Sequence, residues 1–232
     1  MKQSLYFIGG ILLLTAVLLC EYYTDWDLLL QNYFYDADNR QWLINPEKHK
    51  QLSFIFYKGL KNVLITSGVC CLLYLAASLK YKKLKKNQKQ ILMFLLSIIF
   101  VPLIVAGAKY ITNVYCPYQL NIYNGNYPFV RIISDYPEGF IQPKPGRCFP
   151  AGHATAGFAF MALFYCFHKI QYRIVGLFLG ITLGWMAGTY QMMRGQHFLS
   201  HTLFSMIASF MVIVLINALL NQTCSHNRQQ SQ

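Results

Sequence analysis

The chain has 232 residues, of which 55% are hydrophobic and only 12% are charged, and its mean hydropathy is +0.33. So much apolar sequence with so few charges excludes an ordinary soluble domain and indicates an integral membrane protein. The net charge of +12 does not indicate a nucleic-acid partner, because the lysines cluster beside apolar stretches, where they set orientation and contact anionic lipid.

Apolar stretches long enough to cross a bilayer recur along the whole sequence. A spanning helix needs about 20 predominantly apolar residues. Six stretches meet this requirement: Leu5–Tyr23, Phe54–Leu79, Ile91–Tyr110, Ala151–His168, Ile174–Tyr190 and Ser200–Leu220. The sequence therefore predicts an all-α membrane protein with six transmembrane helices, built as one domain over residues 1–232.

The first span is expected to be retained rather than cleaved as a signal peptide. Leu19 stands before Cys20, where a lipoprotein signal has a small residue, and no A-x-A site follows. The next stretch, "DWDLLLQNYFYD" from Asp25 to Asp36, has amphipathic helical spacing. It is predicted to lie flat on the outer face of the membrane.

The loop "KYKKLKKNQK", from Lys80 to Lys89, determines the predicted orientation. It holds six lysines, and short loops of this kind stay in the cytoplasm. Alternation then places both termini inside and the segments Glu21–Gln51, Ile111–Pro150 and Gln191–Leu199 outside. The eight carboxylates of the chain all fall in the first two of these external segments, which agrees with that orientation.

Two of the seven cysteines, Cys116 and Cys148, lie in the external loop 111–150. Because an external compartment permits disulfides, we expect a bridge between them. Such a bridge would hold the segments around Lys109 and His153 close together. Two free thiols are the alternative.

Three short stretches border the predicted outer face, and each combines histidine or a cation with glycine or proline. They are "KYITNVYCPY" beginning at Lys109, "GRCFPAGH" ending at His153, and "MRGQHFLSH" from Met193 to His201. The topology places all three on one side of the membrane, although they played no part in assigning it. They are therefore the candidate functional site.

The start of the fourth span has the chemistry of an anion site. Gly152 allows a ligand to approach the backbone closely, and a helix start offers free N–H groups and a positive dipole end. His153 can give or take a proton beside it. Lys109, Arg147 and Arg194 add cations that suit the oxygens of a phosphate.

The three stretches resemble the motifs of the type 2 phosphatidic acid phosphatase superfamily of membrane lipid phosphatases, over about residues 109–205. The motif K-x6-R-P is matched by Lys109 and Pro117, and P-S-G-H is matched by "PAGH", which ends at His153. "GQHFLSH" resembles the third motif and aligns His197 with the nucleophilic histidine of the family.

The chain departs from the family pattern at four positions. Cys116 replaces an arginine, Ala151 replaces a serine, Gln191 replaces a second arginine, and His201 stands where the family has an aspartate. Arg194 lies one helical turn from Gln191 and can take the place of that arginine. No carboxylate follows Glu138, so a carboxylate near the motif helix would have to come from Asp25, Asp27 or Asp135.

The resemblance implies a two-step reaction that needs no metal and no cofactor. His197 would attack phosphorus to form a phosphohistidine, His153 would protonate the leaving oxygen, and water would then hydrolyse the intermediate. His201 would orient His197. The phosphate would be held by Lys109, Arg194, Arg147 and Gly152.

Other interpretations of the same residues remain open. His197 and His201 form an H-x3-H pair that can bind zinc on one helix face, with His153 as a third ligand, although no glutamate lies inside the pair as in metalloproteases. Lys109 and Arg194 can also be cations that extend from span ends to the interface. Lys58 and Lys61 contact either lipid headgroups or a substrate phosphate.

The expected function is that of a bacterial inner-membrane lipid phosphatase, a phosphoric monoester hydrolase with its active site facing the periplasm. Lipid A is the first expected substrate, because the motif sequences "GRCFPAGH" and "QHFLSH" resemble those of bacterial lipid A phosphatases. The alternative substrates are phosphatidylglycerol phosphate and undecaprenyl diphosphate, the second of which would make the enzyme an acid anhydride hydrolase. The alternative functions are those of a phosphotransferase and of a non-catalytic lipid-binding or transport protein. The expected partners are the lipid bilayer and the lipid phosphate, with no nucleic acid and no obligate protein partner.

Overall fold

The computed structural model describes residues 2–229 and the side chains of residues 4–222. The described chain is mainly helical, and 3-10 or π turns extend several of its helices. The elements are α1 (Lys2–Tyr23), α2 (Trp26–Asn32), β1 (Tyr35–Asp36), β2 (Gln41–Trp42), α3 (Lys50–Ser53), α4 (Leu60–Lys80), α5 (Gln88–Gly107), α6 (Gly152–Phe158), α7 (Leu163–Cys166), α8 (Ile170–Met193) and α9 (Leu199–Gln229).

Five stretches of the described helices are long and apolar enough to cross a membrane. They are Ser4–Tyr23, Lys50–Lys80, Lys82–Tyr110, Ile170–Met193 and Leu199–Gln222. Each contains one of the six predicted spans, so the protein is a helical membrane protein with five such helices in the described chain. The second stretch continues from α3 through a π turn at Phe54–Gly59 into α4, and the third ends in a 3-10 turn at Ala108–Tyr110.

The predicted fourth span, Ala151–His168, is not among these five helices. Its helix begins at Gly152, tightens into a 3-10 turn at Ala159–Ala162 and ends with α7 at Cys166. These 15 residues rise about 25 Å, which is less than the hydrocarbon core of about 30 Å. The predicted count of six spans is therefore not confirmed.

Small residues let this segment pack closely against α8. A Cβ added at Gly157 would lie 2.3 Å from the backbone nitrogen of Gly184, and one added at Gly180 would lie 2.2 Å from the nitrogen of Met161. The backbones of α6 and α8 thus approach each other too closely for any side chain at these positions. Hydropathy alone cannot separate such a buried helix from a lipid-facing one, which is why the sequence predicts a full span here.

The segment after α1 covers the loop between α8 and α9. The predicted amphipathic helix Asp25–Asp36 is shorter than expected, because α2 ends at Asn32 and the chain turns into the hairpin of β1 and β2. The face of α2 that packs on the protein is polar, since its buried residues are Asp27 and Gln31. The Gln31 side chain donates a hydrogen bond of 2.8 Å to the carbonyl of Met192, which fixes the end of α8.

The loop between α5 and α6 is irregular but well packed. Tyr115, Leu120, Tyr123 and Phe198 form a buried apolar cluster in it, and the rings of Tyr115 and Tyr127 stack with centroids 3.9 Å apart. Phe198 belongs to the α8–α9 connection. The cluster therefore joins two of the three candidate stretches into one structural unit.

Candidate active site

The three candidate stretches meet around one cavity of about 490 Å³. Lys109 comes from the 3-10 turn after α5, His153 from the first turn of α6, and His197 from the loop between α8 and α9. The cavity is lined by Lys109, Cys116, Tyr118, Gln119, Lys144, Pro145, Gly146, Arg147, His153, Gln196 and His197. Its lining is thus rich in cations, and the described part of the lining contains no carboxylate.

The backbone holds the motif segments against one another. Cys148 donates its N–H to the carbonyl of Val114 at 2.9 Å, and Cys148 is joined to Cys116 by a disulfide. A Cβ at Gly146 would lie 2.4 Å from the carbonyl carbon of Val114. Only glycine therefore allows the "GRCFPAGH" segment to pass so close to the segment that follows Lys109.

The loop that carries His197 is shaped by contacts far away in sequence. Gly195 has φ +68°, a left-handed conformation that favours glycine, and a Cβ there would lie 2.3 Å from the ring of Trp42. The carbonyl of Gly195 accepts a hydrogen bond of 2.8 Å from the N–H of Tyr118. The β2 strand and the α5–α6 loop together fix the position of His197.

His197 and His153 face each other across the cavity. Their ring centroids are 6.3 Å apart, so the rings are not in direct contact and a phosphoryl group can contact both. His197 is only 3% exposed. Burial, with the nearby positive charge of Lys109, lowers the pKa of His197 well below its usual 6.5. Its imidazole is therefore neutral at pH 7, which is the form in which a ring nitrogen can act as a nucleophile.

Lys109 is the cation closest to the centre of the site. Its side chain passes over Gly152, where an added Cβ would lie 3.1 Å from Lys109 Cε and 3.4 Å from Nζ. Its charge acts on His153, His197 and His201. Gly152 thus makes room for the lysine at the point where α6 begins, but it does not line the cationic cavity itself.

The two arginines lie at the edge of the site rather than at its centre. Arg147 lines the cavity, and its guanidinium lies over the ring of Tyr110 at 4.7 Å. Arg194 lies over the ring of Tyr190 at 5.2 Å and lines a neighbouring pocket that shares Gln196 with the cavity. Its charge still acts on His153.

His201 lies one helical turn after His197 and is 1% exposed. The two ring centroids are 5.8 Å apart, and no hydrogen bond joins the rings among the described residues. The expected orienting hydrogen bond is thus not formed. His197 Nδ1 instead lies 3.5 Å from the sulfur of Cys148, and His201 Nδ1 is buried without a hydrogen-bond partner.

The sequence did not reveal two contributors to the site, and it left a third open among three aspartates. Lys144 and Gln196 line the cavity, and nothing in their local sequence distinguishes them from other polar loop residues. Asp27 accepts a hydrogen bond of 2.8 Å from the N–H of Ser200 and another from its hydroxyl. It is the one carboxylate of Asp25, Asp27 and Asp135 that contacts the motif helix, at the residue before His201.

Asp27 caps the start of α9 from a different helix. The carboxylate is 2% exposed, and burial raises its pKa to about 6 despite the hydrogen bonds from Ser200 that favour its charged form. The folded protein therefore binds this proton more tightly than the unfolded chain does. Stability should fall as pH rises from about 4 to about 6, by about 3 kcal/mol in total for this group.

We predict that Asp27→Asn removes this part of the pH dependence. The variant keeps a side-chain oxygen that can accept from Ser200 but cannot titrate. Thermal unfolding in detergent between pH 4 and pH 7 measures the effect, with Asp38→Asn, an exposed aspartate, as the matched control. Identical slopes for wild type and Asp27→Asn would contradict the prediction.

An apolar groove of about 330 Å³ adjoins the cavity between α4, α5 and α6. Gly152 and His153 line it, and His153 also lines the polar cavity. The ring of Tyr57 packs on His153 with centroids 4.8 Å apart. The remaining lining residues are Phe56, Leu60, Lys61, Leu64, Ile65, Pro102, Thr155 and Ala156. Of the two lysines at this end of the second span, Lys61 therefore borders the groove, whereas Lys58 lines a separate pocket.

Comparison with known proteins supports a single family. The sequence profile of the PAP2 superfamily matches residues 90–223, a range that holds Lys109, His153, His197 and His201. Neither the curated proteins nor the solved structures include a match.

Proposed function

This chain belongs to the PAP2 superfamily, and on that premise we propose that it is an integral membrane phosphatase that removes phosphate from a lipid. PAP2 members are phosphatases, and five helices of the described chain can cross a membrane. The proposal adds that the site faces the outer leaflet of a bacterial inner membrane, as the lysine-rich loop Lys80–Lys89 predicts.

One observation carries this proposal. His153 borders both the cationic cavity that contains His197 and the apolar groove between α4, α5 and α6. A substrate that fills both spaces has a phosphate at one end and a hydrocarbon chain at the other, with the bond to be broken next to His153. That description fits a lipid phosphate and does not fit a small soluble phosphate ester.

The proposed reaction has two displacement steps. A ring nitrogen of neutral His197 attacks phosphorus, and an N–P bond forms as the bond from phosphorus to the lipid oxygen breaks. His153, as imidazolium, gives its proton to that oxygen. Water then attacks the phosphohistidine while His153 takes a proton from it, which releases inorganic phosphate and returns both histidines to their starting states.

The cations of the cavity stabilise the transferring phosphoryl group. Lys109, Lys144 and Arg147 line the cavity, and their positive charges offset the negative charge on the equatorial oxygens. Burial, together with the charges of Lys109 and Arg194, lowers the pKa of His153 to about 4. The negative charge of a bound phosphate offsets these two positive charges and favours the protonated form that His153 needs as the acid.

Lipid A is our first proposed substrate, and undecaprenyl diphosphate and phosphatidylglycerol phosphate are the alternatives. Phosphate release from each of these lipids by the purified protein in detergent tests the proposal, with glycerol 3-phosphate as the chain-free comparison. We expect release from at least one lipid and a much lower kcat/KM on glycerol 3-phosphate. Equal rates with and without a hydrocarbon chain would overturn the assignment of the groove.

Two substitutions in the motif support a second candidate, a protein that binds lipid phosphates without turnover. Gln191 and His201 stand where the family has arginine and aspartate, and the Gln191 side-chain nitrogen is buried without a hydrogen-bond partner. Saturable binding of a lipid phosphate with no phosphate release would favour this candidate. Transfer of the phosphate to another lipid instead of to water would indicate a phosphotransferase.

We predict that the disulfide-bonded enzyme needs no metal. His197 and His153 supply the nucleophile and the acid, and Lys109, Lys144 and Arg147 supply the positive charge that metal ions provide in other phosphatases. Activity measured after extensive treatment with EDTA should stay within about twofold of the untreated enzyme. Loss of activity that added zinc restores would favour the H-x3-H interpretation of His197 and His201.

A further inference from the structure

A cluster of zinc-binding side chains lies behind the cavity. Cys148, His197 and His201 are all buried, and each offers a ligand atom within 4.8 Å of those of the other two. The sulfur of Cys148 is 3.5 Å from His197 Nδ1. This set differs from the H-x3-H pair with His153 that the sequence indicates, because its third member is a cysteine.

A second observation also points to a ligand at this place. His201 Nδ1 is buried and has no hydrogen-bond partner among the described residues. Buried polar atoms are almost always satisfied, and each exception requires an explanation such as an ion or a water. The histidine at position 201 is the departure from the family aspartate, and it is the residue that turns this pocket into a set of nitrogen and sulfur donors.

The disulfide keeps this cluster closed. Cys148 is bonded to Cys116, and zinc binds a cysteine thiolate rather than a disulfide sulfur. Breaking the disulfide leaves the Cys148 thiol beside two imidazoles. Cysteine and histidine together are the donor set that favours zinc over magnesium or calcium.

We propose that reduction of the Cys116–Cys148 disulfide opens a zinc site made of Cys148, His197 and His201, and that zinc bound there inactivates the protein. A dithiol reductant gives two electrons, the S–S bond breaks, both cysteines become thiols, and the reductant becomes a disulfide. Zinc binding then releases the proton of the Cys148 thiol, and a water from the cavity takes the fourth position.

The geometry and the charge of the pocket are compatible with this site. Ligand atoms around a tetrahedral zinc lie about 3.3–3.8 Å apart. The Cys148 sulfur and His197 Nδ1, at 3.5 Å, already have this separation, and no pair in the cluster is more than 4.8 Å apart, so the remaining adjustment is about 1 Å. A freed Cys148 side chain can rotate to allow this. The charge of Lys109 acts on both histidines and opposes a second cation, and the thiolate offsets that effect.

Zinc at this site would stop phosphoryl transfer directly. The metal occupies a lone pair of His197, and the proposed reaction needs a free imidazole there. Metal binding itself does not depend on the proposed function, and only the inhibition does. Binding and activity are therefore measured separately in the experiment below.

The two cysteines provide a matched pair of variants. Cys116→Ser and Cys148→Ser both remove the disulfide, but only Cys116→Ser leaves the Cys148 thiol beside the histidines. Each full-length protein is titrated in detergent with Zn²⁺ by calorimetry and with Co²⁺ by absorption. Wild type is titrated in its oxidised form and after reduction with a phosphine. A phosphine is used because a thiol reductant would itself bind zinc.

We expect Cys116→Ser and reduced wild type to bind one metal ion per chain and to show thiolate-to-cobalt charge-transfer absorption. Cys148→Ser and oxidised wild type should bind at least about 100-fold more weakly and show no such band. His201→Asn in the Cys116→Ser background should weaken binding by a similar factor, whereas His153→Asn in that background should not.

Four results would overturn the proposal in whole or in part. Equal binding by the two cysteine variants would exclude Cys148 as a ligand, and dependence on His153 instead of His201 would replace the ligand set. Absence of binding in reduced wild type would exclude the site even if Cys116→Ser fails to fold. Tight zinc binding with unchanged phosphatase activity would overturn the inhibition. Absence of phosphatase activity from all forms would count against the proposed function and leave the metal result unaffected.

Discussion

Replacing His197 with asparagine is expected to reduce phosphate release by at least about 10⁴-fold, because the residue forms the covalent bond to phosphorus in the proposed reaction. Asparagine has a similar size and can fill much of the same buried space, but its amide nitrogen is not a nucleophile. The loss should appear in kcat, since the cations that bind the phosphate remain in place.

The measurement is lipid phosphate hydrolysis by purified His197→Asn, with the elution profile and the unfolding temperature recorded to show that the variant is folded. His168→Asn is the matched control, since this histidine is exposed and does not line the cavity. His201→Asn should lose less activity than His197→Asn. Activity of His197→Asn within tenfold of wild type would refute the nucleophile, and a larger loss in His201→Asn would reverse the two roles.

Replacing Lys109 with methionine is expected to lower kcat/KM by about 10²–10³-fold, the usual cost of removing one preorganised group that stabilises the transition state. Methionine keeps much of the length of the lysine stem over Gly152 and removes its charge. Because Lys109 is partly buried and a desolvated charge without a carboxylate partner is costly, the folded protein should be at least as stable after the change. A loss of activity without a loss of stability separates a catalytic role from a structural one.

For Lys109→Met, kcat/KM is measured on the preferred lipid, and stability is measured by thermal unfolding of the same preparation. Lys83→Met, in the lysine-rich loop Lys80–Lys89 and exposed, is the matched control and should match wild type in both. A loss of less than tenfold at Lys109 would place the lysine outside the phosphate site. It would then be a cation that extends to the interface from the end of the third span.

Apolar length was sufficient to predict the five long helices, because a bilayer requires about 20 apolar residues in each. It was not sufficient for the segment Ala151–His168. Gly157, Gly180 and Gly184 let α6 and α8 touch backbone to backbone, and a helix buried in this way need not match the membrane thickness. The glycines in the sequence indicate this close packing, but a prediction from hydropathy does not take them into account.

The site was predictable where its chemistry lies in short motifs. Lys109, His153 and His197 were identified from their spacing in the resembling motifs, and the structure places them around one cavity. The contacts that hold these motif segments in place were not predictable in the same way. Trp42 against Gly195, and Asp27 on Ser200, join segments more than 150 residues apart in sequence, and no local pattern specifies such pairs.

Trapping and locating the phosphoryl intermediate tests the proposed mechanism most directly. The purified protein is mixed with its lipid phosphate, quenched at alkaline pH, where phosphohistidine survives, and digested for mass spectrometry. We expect phosphate on His197 in wild type, more of it when His153→Asn slows the second step, and none in His197→Asn. Phosphate release without any phosphorylated His197, or phosphate attached to another residue, would contradict it.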